Sequence, residues 1–230
     1  MKNYLIIGAS DGIGLSVASI LSKHSNVFGT YFSADESELS KTISYFPFDV
    51  MKDELDISAL PATLDGIVYC PGAIDLKPMH RINEEEILDD FQLQVLGAFK
   101  AVKAVLPLLK KVKQASIVLI STVAVQKGFP FHAKVAMSKG ALEGLTRSLA
   151  AEFAPTIRVN CVAPSLTNTK LAGRLLNAPE KIEAHGKTHP LGRVGEAEDI
   201  AETIAFLLDD RASWITGQII HVDGGKSALN

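Results

Sequence analysis

Short apolar runs alternate along the chain with longer stretches in which apolar residues recur at helical spacing. The runs are rich in Val, Ile and Tyr, which is typical of strands buried on both faces of a sheet. They predict strands over Asn3–Gly8, Asn26–Tyr31, Ile43–Phe48, Gly66–Cys70, Ser116–Ser121, Ile157–Val162 and Gln218–Val222. The stretches between them predict helices over Gly12–Lys23, Asp53–Ala59, Asn83–Lys111, Phe131–Phe153 and Ala197–Leu208.

Strands that alternate with helices pair in parallel through right-handed crossovers, which place helices on both faces of the sheet. We therefore expect an α/β fold: one doubly wound Rossmann-type domain over residues 1–230, with a mainly parallel seven-stranded sheet. The stretch Asn168–Glu196 is different, because it is polar and contains Gly173, Gly186, Gly192 and Gly195. It predicts a mobile flap over a substrate site rather than a part of the core.

Composition and charge exclude several classes of protein and of binding partner. The 230 residues are 47% hydrophobic and 21% charged, as in packed globular proteins and unlike disordered chains or coiled coils. A net charge of -3 predicts no nucleic-acid partner. The short apolar runs and the brief apolar start predict no membrane span and no signal peptide, hence a cytoplasmic protein. The two cysteines, Cys70 and Cys161, lie singly in apolar runs, so we expect neither a disulfide nor a metal site.

The first motif with chemical meaning is the loop Gly8-Ala9-Ser10-Asp11-Gly12-Ile13-Gly14, directly after the first strand and opening the first helix. Glycines there let backbone N–H groups approach a pyrophosphate, and the N-terminus of the helix favours its negative charge. The alternative is a strand-to-helix turn that needs glycine for its backbone alone.

The spacing Gly-x3-Gly-Ile-Gly resembles the short-chain dehydrogenase/reductase family, and the resemblance runs nearly from end to end. Matching segments follow in the family's order: Asp49-Val50, Gly72, Ser121-Thr122, Ser138-Lys139, Arg158–Asn160, Pro164, Thr169, Pro190–Arg193 and Val222–Gly225. Three positions depart from the family pattern: Cys70 and Pro71 stand in the family's Asn-Ala-Gly segment, and Ser165 replaces a glycine.

The resemblance implies NAD or NADP as the cofactor. The residues it assigns to cofactor binding are Gly8, Ser10, Asp11, Gly12, Ile13, Gly14, Tyr31, Asp49, Val50, Cys70, Pro71, Gly72, Lys139, Pro164, Thr167 and Thr169. Asp11 stands where relatives that use NADP often carry arginine, which favours NAD. Asp35 lies at the generic distance for an acid that binds the ribose 2′-OH, although it is equally a solvated loop charge. The choice between the two cofactors stays open.

The family's chemistry needs a tyrosine as acid/base, a lysine, a serine that orients the carbonyl, and an asparagine that holds a relay water. Lys139 fills the lysine position, but the tyrosine position four residues earlier is Val135. All four tyrosines precede the fifth strand, so no shift of alignment restores it. Thr122 stands at the serine position, where it is either an orienting hydroxyl or a buried strand end, and Gln94 stands at the asparagine position.

Two hypotheses follow. In the first, the chain is an oxidoreductase that transfers a hydride between NAD(P) and a small carbonyl, alcohol or activated alkene. His132, seven residues before Lys139, then replaces the phenol, in a spacing similar to the Tyr-x6-Lys of enoyl-acyl-carrier-protein reductases. In the second, the chain is a catalytically silent NAD(P)-binding protein, a sensor or a partner subunit, and His132 is a surface residue without a catalytic role.

A homo-oligomer, dimer or tetramer, is also expected. In this family the helix over Asn83–Lys111 and the helix over Phe131–Phe153 usually pack across a dimer interface, and the ending Val222–Gly225 meets a further subunit in tetramers. The apolar stripe Ile87, Phe91, Val95 and Phe99 fits that role, although it fits equally well as a stripe that only covers the sheet.

Overall fold

The computed structural model describes residues 1–229. Near-continuous apolar runs form a seven-stranded sheet in which every neighbouring pair is parallel, so the predicted fold class is confirmed. Its strands are β1 (Asn3–Ile7), β2 (Asn26–Tyr31), β3 (Ser44–Pro47), β4 (Gly66–Tyr69), β5 (Ala115–Ile120), β6 (Ile157–Pro164) and β9 (Ile219–Val222), in the order β3-β2-β1-β4-β5-β6-β9. Two short strands, β7 (Thr167–Asn168) and β8 (Gly195–Glu196), pair separately.

The described residues form six α-helices: α1 (Gly12–Leu21), α2 (Glu84–Phe91), α3 (Gly97–Leu109), α4 (Ala133–Phe153), α5 (Pro179–Gly186) and α6 (Ala197–Leu208). Helices α1 and α6 enclose one apolar layer against the sheet, around Ile6, Val118 and Ile204. Helices α3 and α4 enclose the other, around Ile117 and Leu142. Two layers on one twisted parallel sheet define the doubly wound architecture.

The strand order reverses between β1 and β4, which are neighbours although β2 and β3 intervene in the chain. The loops that leave the carboxyl ends of these two strands diverge to opposite sides and open a crevice. In open α/β sheets such a crevice is where ligands bind. The glycine loop follows β1, and Cys70-Pro71-Gly72 follows β4, so both lie at this point.

The helix predicted over Asp53–Ala59 is wrong, because the structure has turns and extended chain there. Two aspartates in the region hydrogen-bond nearby backbone N–H groups. Asp53 accepts from the Asp49 N–H at 2.8 Å, and Asp56 accepts from the Ser58 N–H at 2.8 Å. Such local side-chain bonds favour turns over helix.

The stretch predicted as a flap, Asn168–Glu196, has more structure than its polar composition suggested. It contains α5, and its residues Ala172, Leu176 and Val194 form a small buried cluster. The segment therefore packs on apolar contacts of its own. Its mobility stays a prediction.

The long helix predicted over Asn83–Lys111 is present as α2 and α3, joined by a π-helical turn over Gln92–Leu96. By length and apolar composition the whole stretch Glu84–Leu109 could cross a membrane, but 44% of its most apolar window is buried inside the protein. Its predicted stripe is divided: Val95 belongs to the core, whereas Phe91 and Phe99 are exposed.

Candidate active site

The glycine loop is a tight turn from β1 into α1. Gly8 and Gly12 both have positive φ, at 77° and 52°, where residues with a Cβ are strained. Gly14 has no room for a side chain, because a Cβ there would lie 2.0 Å from the Gly8 carbonyl oxygen. Asp11 caps α1 by accepting from the Gly12 N–H at 2.7 Å. The loop thus holds its backbone close to the helix N-terminus, which fits a cradle for a pyrophosphate.

Across the crevice, the segment after β4 packs against that loop. A Cβ on Gly8 would lie 3.3 Å from the Pro71 ring, so the two loops are in close contact. Cys70 faces the crevice, and burial raises the pKa of its thiol to about 12. A thiol with that pKa is neutral near pH 7, so Cys70 lines the crevice as an apolar residue and is not a nucleophile.

Lys139 is the predicted catalytic group that the structure places most firmly. It is buried on α4, and its Nζ donates to the Ile120 carbonyl at the end of β5, at 2.8 Å. A Cβ on Gly72 would lie 3.4 Å from the same Nζ, so the ammonium borders the segment after β4. Burial lowers the pKa of Lys139 to about 8, despite the opposing effect of the Asp90 carboxylate.

Gln94 lies in the π-helical turn, fully buried, with its side chain beside Gly72 and Lys139. Its Nε2 donates to Asp90 at 2.8 Å, and Ser138 donates to the same carboxylate oxygen at 2.6 Å. The Gln94 Oε1 has no protein partner although it is buried. It is a free acceptor close to the lysine, where a polar ligand group or a water could donate to it.

From the sequence, no role was assigned to Asp90 or Ser138. Both were within reach of simple patterns, since Asp90 precedes Gln94 by one helical turn and Ser138 is the immediate neighbour of Lys139. The buried Asp90 carboxylate joins α2, the π-helical turn and α4 into one unit.

Thr122 lies just beyond β5, half-buried, on the wall of the crevice. Its Oγ1 accepts from the Ala124 N–H at 3.3 Å, which leaves the hydroxyl proton available to a ligand. The preceding Ser121 is instead buried and donates to Glu143 at 2.8 Å. Of the two adjacent hydroxyls, Thr122 is therefore the one free to orient a substrate oxygen.

No phenol reaches this site. Val135 occupies the tyrosine position on α4, with 6% of its surface exposed, and lines the crevice. The hydroxyls of all four tyrosines donate elsewhere: Tyr4 to Leu208, Tyr31 to Glu36, Tyr45 to Ala9 and Tyr69 to Leu93. The apolar Val135 thus leaves Lys139 without its usual neighbour.

His132 is not on a helix, which corrects the predicted helix over Phe131–Phe153. Helix α4 begins at Ala133, and Phe131 just before it has φ of 68°, which is incompatible with a right-handed helical turn. His132 is half-buried, and its Nδ1 lies 2.7 Å from the Pro130 carbonyl oxygen. Its ring still lines the crevice, so it is aimed by the loop and not by helical spacing from Lys139.

These groups border one cavity of about 430 Å³. The predicted site residues that line it are Ile13, Cys70, Gly72, Gln94, Thr122, His132, Lys139, Pro164, Thr167 and Thr169. A cavity of this size is in the range of small-molecule and cofactor sites. Thr169 also approaches the glycine loop, because a Cβ on Gly12 would lie 3.3 Å from its Cγ2.

The other residues predicted to bind the cofactor are not among those that line this cavity. Gly8, Ser10, Asp11, Gly12, Gly14 and Pro71 belong to the two loops at the reversal of strand order, while Tyr31, Asp49 and Val50 follow or end β2 and β3. Asp49 accepts from the Met51 N–H at 2.9 Å, and Val50 packs beside Gly97. Asp35 caps a short 3-10 helix by accepting from the Ser37 N–H at 2.9 Å, so its carboxylate already has a structural role.

Comparison with known proteins finds a matching family model, relatives in sequence and similar solved structures. A family model described as "Enoyl-(Acyl carrier protein) reductase" matches residues 8–227. A tropinone reductase homolog of Arabidopsis thaliana is 34% identical over 242 residues, which cover 97% of this chain and 91% of the relative. Among solved structures, the ligand-free aldohexose dehydrogenase of Thermoplasma acidophilum superposes with a TM-score of 0.91 at 27% identity, covering 100% of this chain and 95% of that one. ElxO with NADP bound superposes with a TM-score of 0.88 at 27% identity, covering 98% of each chain.

Proposed function

Because the chain belongs to the short-chain dehydrogenase/reductase family, we propose that it transfers a hydride between NAD or NADP and a small carbonyl, alcohol or activated alkene in the cavity beside Lys139. One observation carries the proposal: a buried lysine with a lowered pKa faces a cavity of about 430 Å³ at the reversal of strand order. The tropinone reductase homolog and the aldohexose dehydrogenase are named for carbonyl and alcohol chemistry, and the matching family model for an enoyl substrate.

The residues present fit a dinucleotide. The glycine loop offers backbone N–H groups where a side chain on Gly14 would collide with backbone, so it fits a pyrophosphate that needs close approach. Lys139 and the free acceptor of Gln94 suit the hydroxyls of a ribose, and Thr169 suits the nicotinamide carboxamide. When bound, NAD(P) supplies the hydride or accepts it.

The remaining groups handle the substrate oxygen. Thr122 has a hydroxyl proton available to orient it, and Lys139 adds positive charge that stabilises an alkoxide. His132 is one candidate for the acid/base, because its Nδ1–H is directed at the Pro130 carbonyl and its Nε2 is left to accept a proton from an alcohol and to return it to a carbonyl oxygen. His132→Ala measures that role: a tenfold fall in kcat supports it, and full activity removes it.

The first test is direct. Purified protein is assayed with NAD and NADP against a panel of ketones, alcohols and enoyl thioesters. Val135→Tyr returns a phenol one helical turn before Lys139, and we expect it to raise kcat at least tenfold, since general acid catalysis is worth about 10² to 10⁴ in rate. Val135→Phe is the matched control, because it adds the ring without the hydroxyl. A gain from Val135→Phe equal to that from Val135→Tyr contradicts the proton-transfer reason.

A silent NAD(P)-binding protein is the second candidate function, and the buried Val135 favours it. In that case both cofactors bind while neither the native protein nor Val135→Tyr turns over any member of the panel.

Exposed Phe91 and Phe99 supply an apolar surface for the dimer or tetramer that the sequence predicts.

The segment Asn168–Glu196 is expected to be the part of the chain that cofactor binding orders most. Thr169 lies beside Gly12, and Lys170 Nζ lies 3.8 Å from Asp11, an exposed pair that adds little stability. Its apolar cluster is small, so opening needs little energy. Amide hydrogen exchange in α5 should slow at least tenfold with NAD(P), while β5 exchange stays unchanged. Equal protection of α5 with and without cofactor contradicts this.

A further inference from the structure

Ser165 and His189 form a hydrogen-bonded pair on the wall of the cavity that holds Lys139 and Thr122. Ser165 follows β6 at the position where the family pattern has glycine, and His189 follows α5. The Ser165 Oγ lies 2.8 Å from the His189 Nε2. The pair also borders a smaller cavity of about 100 Å³, so it lies between two spaces that a ligand or water could occupy.

The second ring nitrogen of His189 determines which atom donates in this pair. The His189 Nδ1 lies 2.9 Å from the His185 carbonyl oxygen, and a carbonyl only accepts hydrogen bonds. Nδ1 therefore carries the hydrogen, and in a neutral imidazole Nε2 is then an acceptor. The Ser165 hydroxyl consequently donates to Nε2. A hydroxyl paired with a base whose other nitrogen is oriented by a third group is the arrangement of an activated serine.

Burial fixes the pair in place. Only 5% of the His189 surface is exposed, whereas His132 is only partly buried, in the loop before α4. The backbone brings Ser165 to the same strand ends as Thr122, because the Val123 N–H donates to the Pro164 carbonyl at 3.1 Å. A group held by packing and two hydrogen bonds is better preorganised for proton transfer than one held by a single bond to its own loop.

We propose that Ser165 and His189 are the proton relay that replaces the missing tyrosine, with Ser165 as the catalytic residue at the substrate oxygen and His189 acting through it. This rests on the proposed oxidoreductase function. In alcohol oxidation the substrate O–H bond breaks and its proton moves to the Ser165 Oγ, while the Ser165 proton moves to the His189 Nε2. The carbon-bound hydrogen leaves with its electron pair to oxidised nicotinamide, and the imidazolium later releases its proton to water. Carbonyl reduction runs the same steps in reverse.

The test compares hydroxyl and imidazole variants of the active protein. Ser165→Ala should lower kcat at least tenfold while the Kd for NAD(P) changes less than twofold, and Ser165→Thr, which keeps a hydroxyl, should retain part of the rate. His189→Ala should lose a similar factor, with partial recovery in added imidazole. His24→Ala is the control, because His24 is an exposed histidine after α1, and its kcat should not change.

A readout without turnover accompanies the kinetics. Nitrogen NMR of the histidine side chains should show His189 as the Nδ1–H tautomer, and Ser165→Ala should shift its Nε2 resonance. Full kcat in Ser165→Ala, or an Nε2–H tautomer, overturns the relay and leaves the oxidoreductase proposal standing. Equal losses of rate and of cofactor affinity in both variants overturn the relay in favour of a structural latch. Cofactor binding without any native turnover overturns the oxidoreductase proposal and the relay together.

Discussion

Lys139→Met is expected to lower kcat/KM by about a hundredfold to a thousandfold, the usual loss when a preorganised donor is removed from a reacting oxygen. The ammonium borders Gly72 and donates to Ile120, so it is fixed before any ligand arrives. Methionine has nearly the same shape without the charge or the donors. Steady-state kinetics with the best substrate of the panel, together with fluorescence titration of NAD(P)H, measures the loss of rate and of cofactor affinity.

The same variant should not weaken the fold at neutral pH. The buried ammonium of Lys139 destabilises the folded chain, since burial lowers its pKa to about 8 while the pKa of an unfolded lysine is about 10.4. Between these values the unfolded chain binds more protons, so the native protein gains stability relative to Lys139→Met as pH rises from about 8 to about 10. Urea unfolding of both proteins at pH 7 and pH 10 gives this difference. A difference independent of pH means that Lys139 is not a titrating buried charge.

Gly14→Ala should weaken cofactor binding and also lower the free energy of unfolding by about 1 to 3 kcal/mol, the usual cost of overpacking. The new Cβ would lie 2.0 Å from the Gly8 carbonyl oxygen, so the turn itself must move. We expect the Kd for NAD(P) to rise at least tenfold, or about 1.4 kcal/mol. Calorimetric titration and urea unfolding measure the two effects.

Gly144→Ala is the matched control, because Gly144 is a glycine within a helix whose Cβ would meet nothing within 4 Å. It should leave the Kd unchanged and raise the free energy of unfolding by about 0.5 to 1 kcal/mol through helix propensity. If Gly14→Ala binds NAD(P) as tightly as Gly144→Ala does, the glycine loop is only a turn.

The sequence was sufficient for the features that depend on local pattern. Near-continuous apolar runs marked all seven strands of the sheet, and the position of the glycine loop after the first run located the crevice. The sequence also predicted the position of Lys139 and the absence of the tyrosine, because both depend only on which residue stands at a fixed spacing in a motif. The helix predicted over Asp53–Ala59 was wrong, because hydrogen bonds between the side chains of Asp53 and Asp56 and nearby backbone N–H groups favour turns there.

Features that depend on contacts between distant segments could not be predicted from the sequence. Ser165 contacts His189 only because the chain returns through α5 to the end of β6, and no spacing of residues along the sequence predicts that contact. The orientation of His132 likewise depends on the backbone of Phe131, whose positive φ keeps the helix from starting before Ala133 and leaves His132 outside it. Site geometry built across loops follows from tertiary packing and not from periodicity.

The all-parallel sheet has a consequence for how fast this protein folds. No two neighbouring strands in it are joined by a hairpin, and β1, an inner strand, must wait for β4 before its second edge is covered. Every pairing therefore closes a long loop before it gains contacts, which slows folding and leaves apolar strand edges open in the meantime. A newly made chain has β1 and β2 available early and β4 and β5 only much later. Aggregation during synthesis, rather than weak final stability, is thus the hazard that this topology creates.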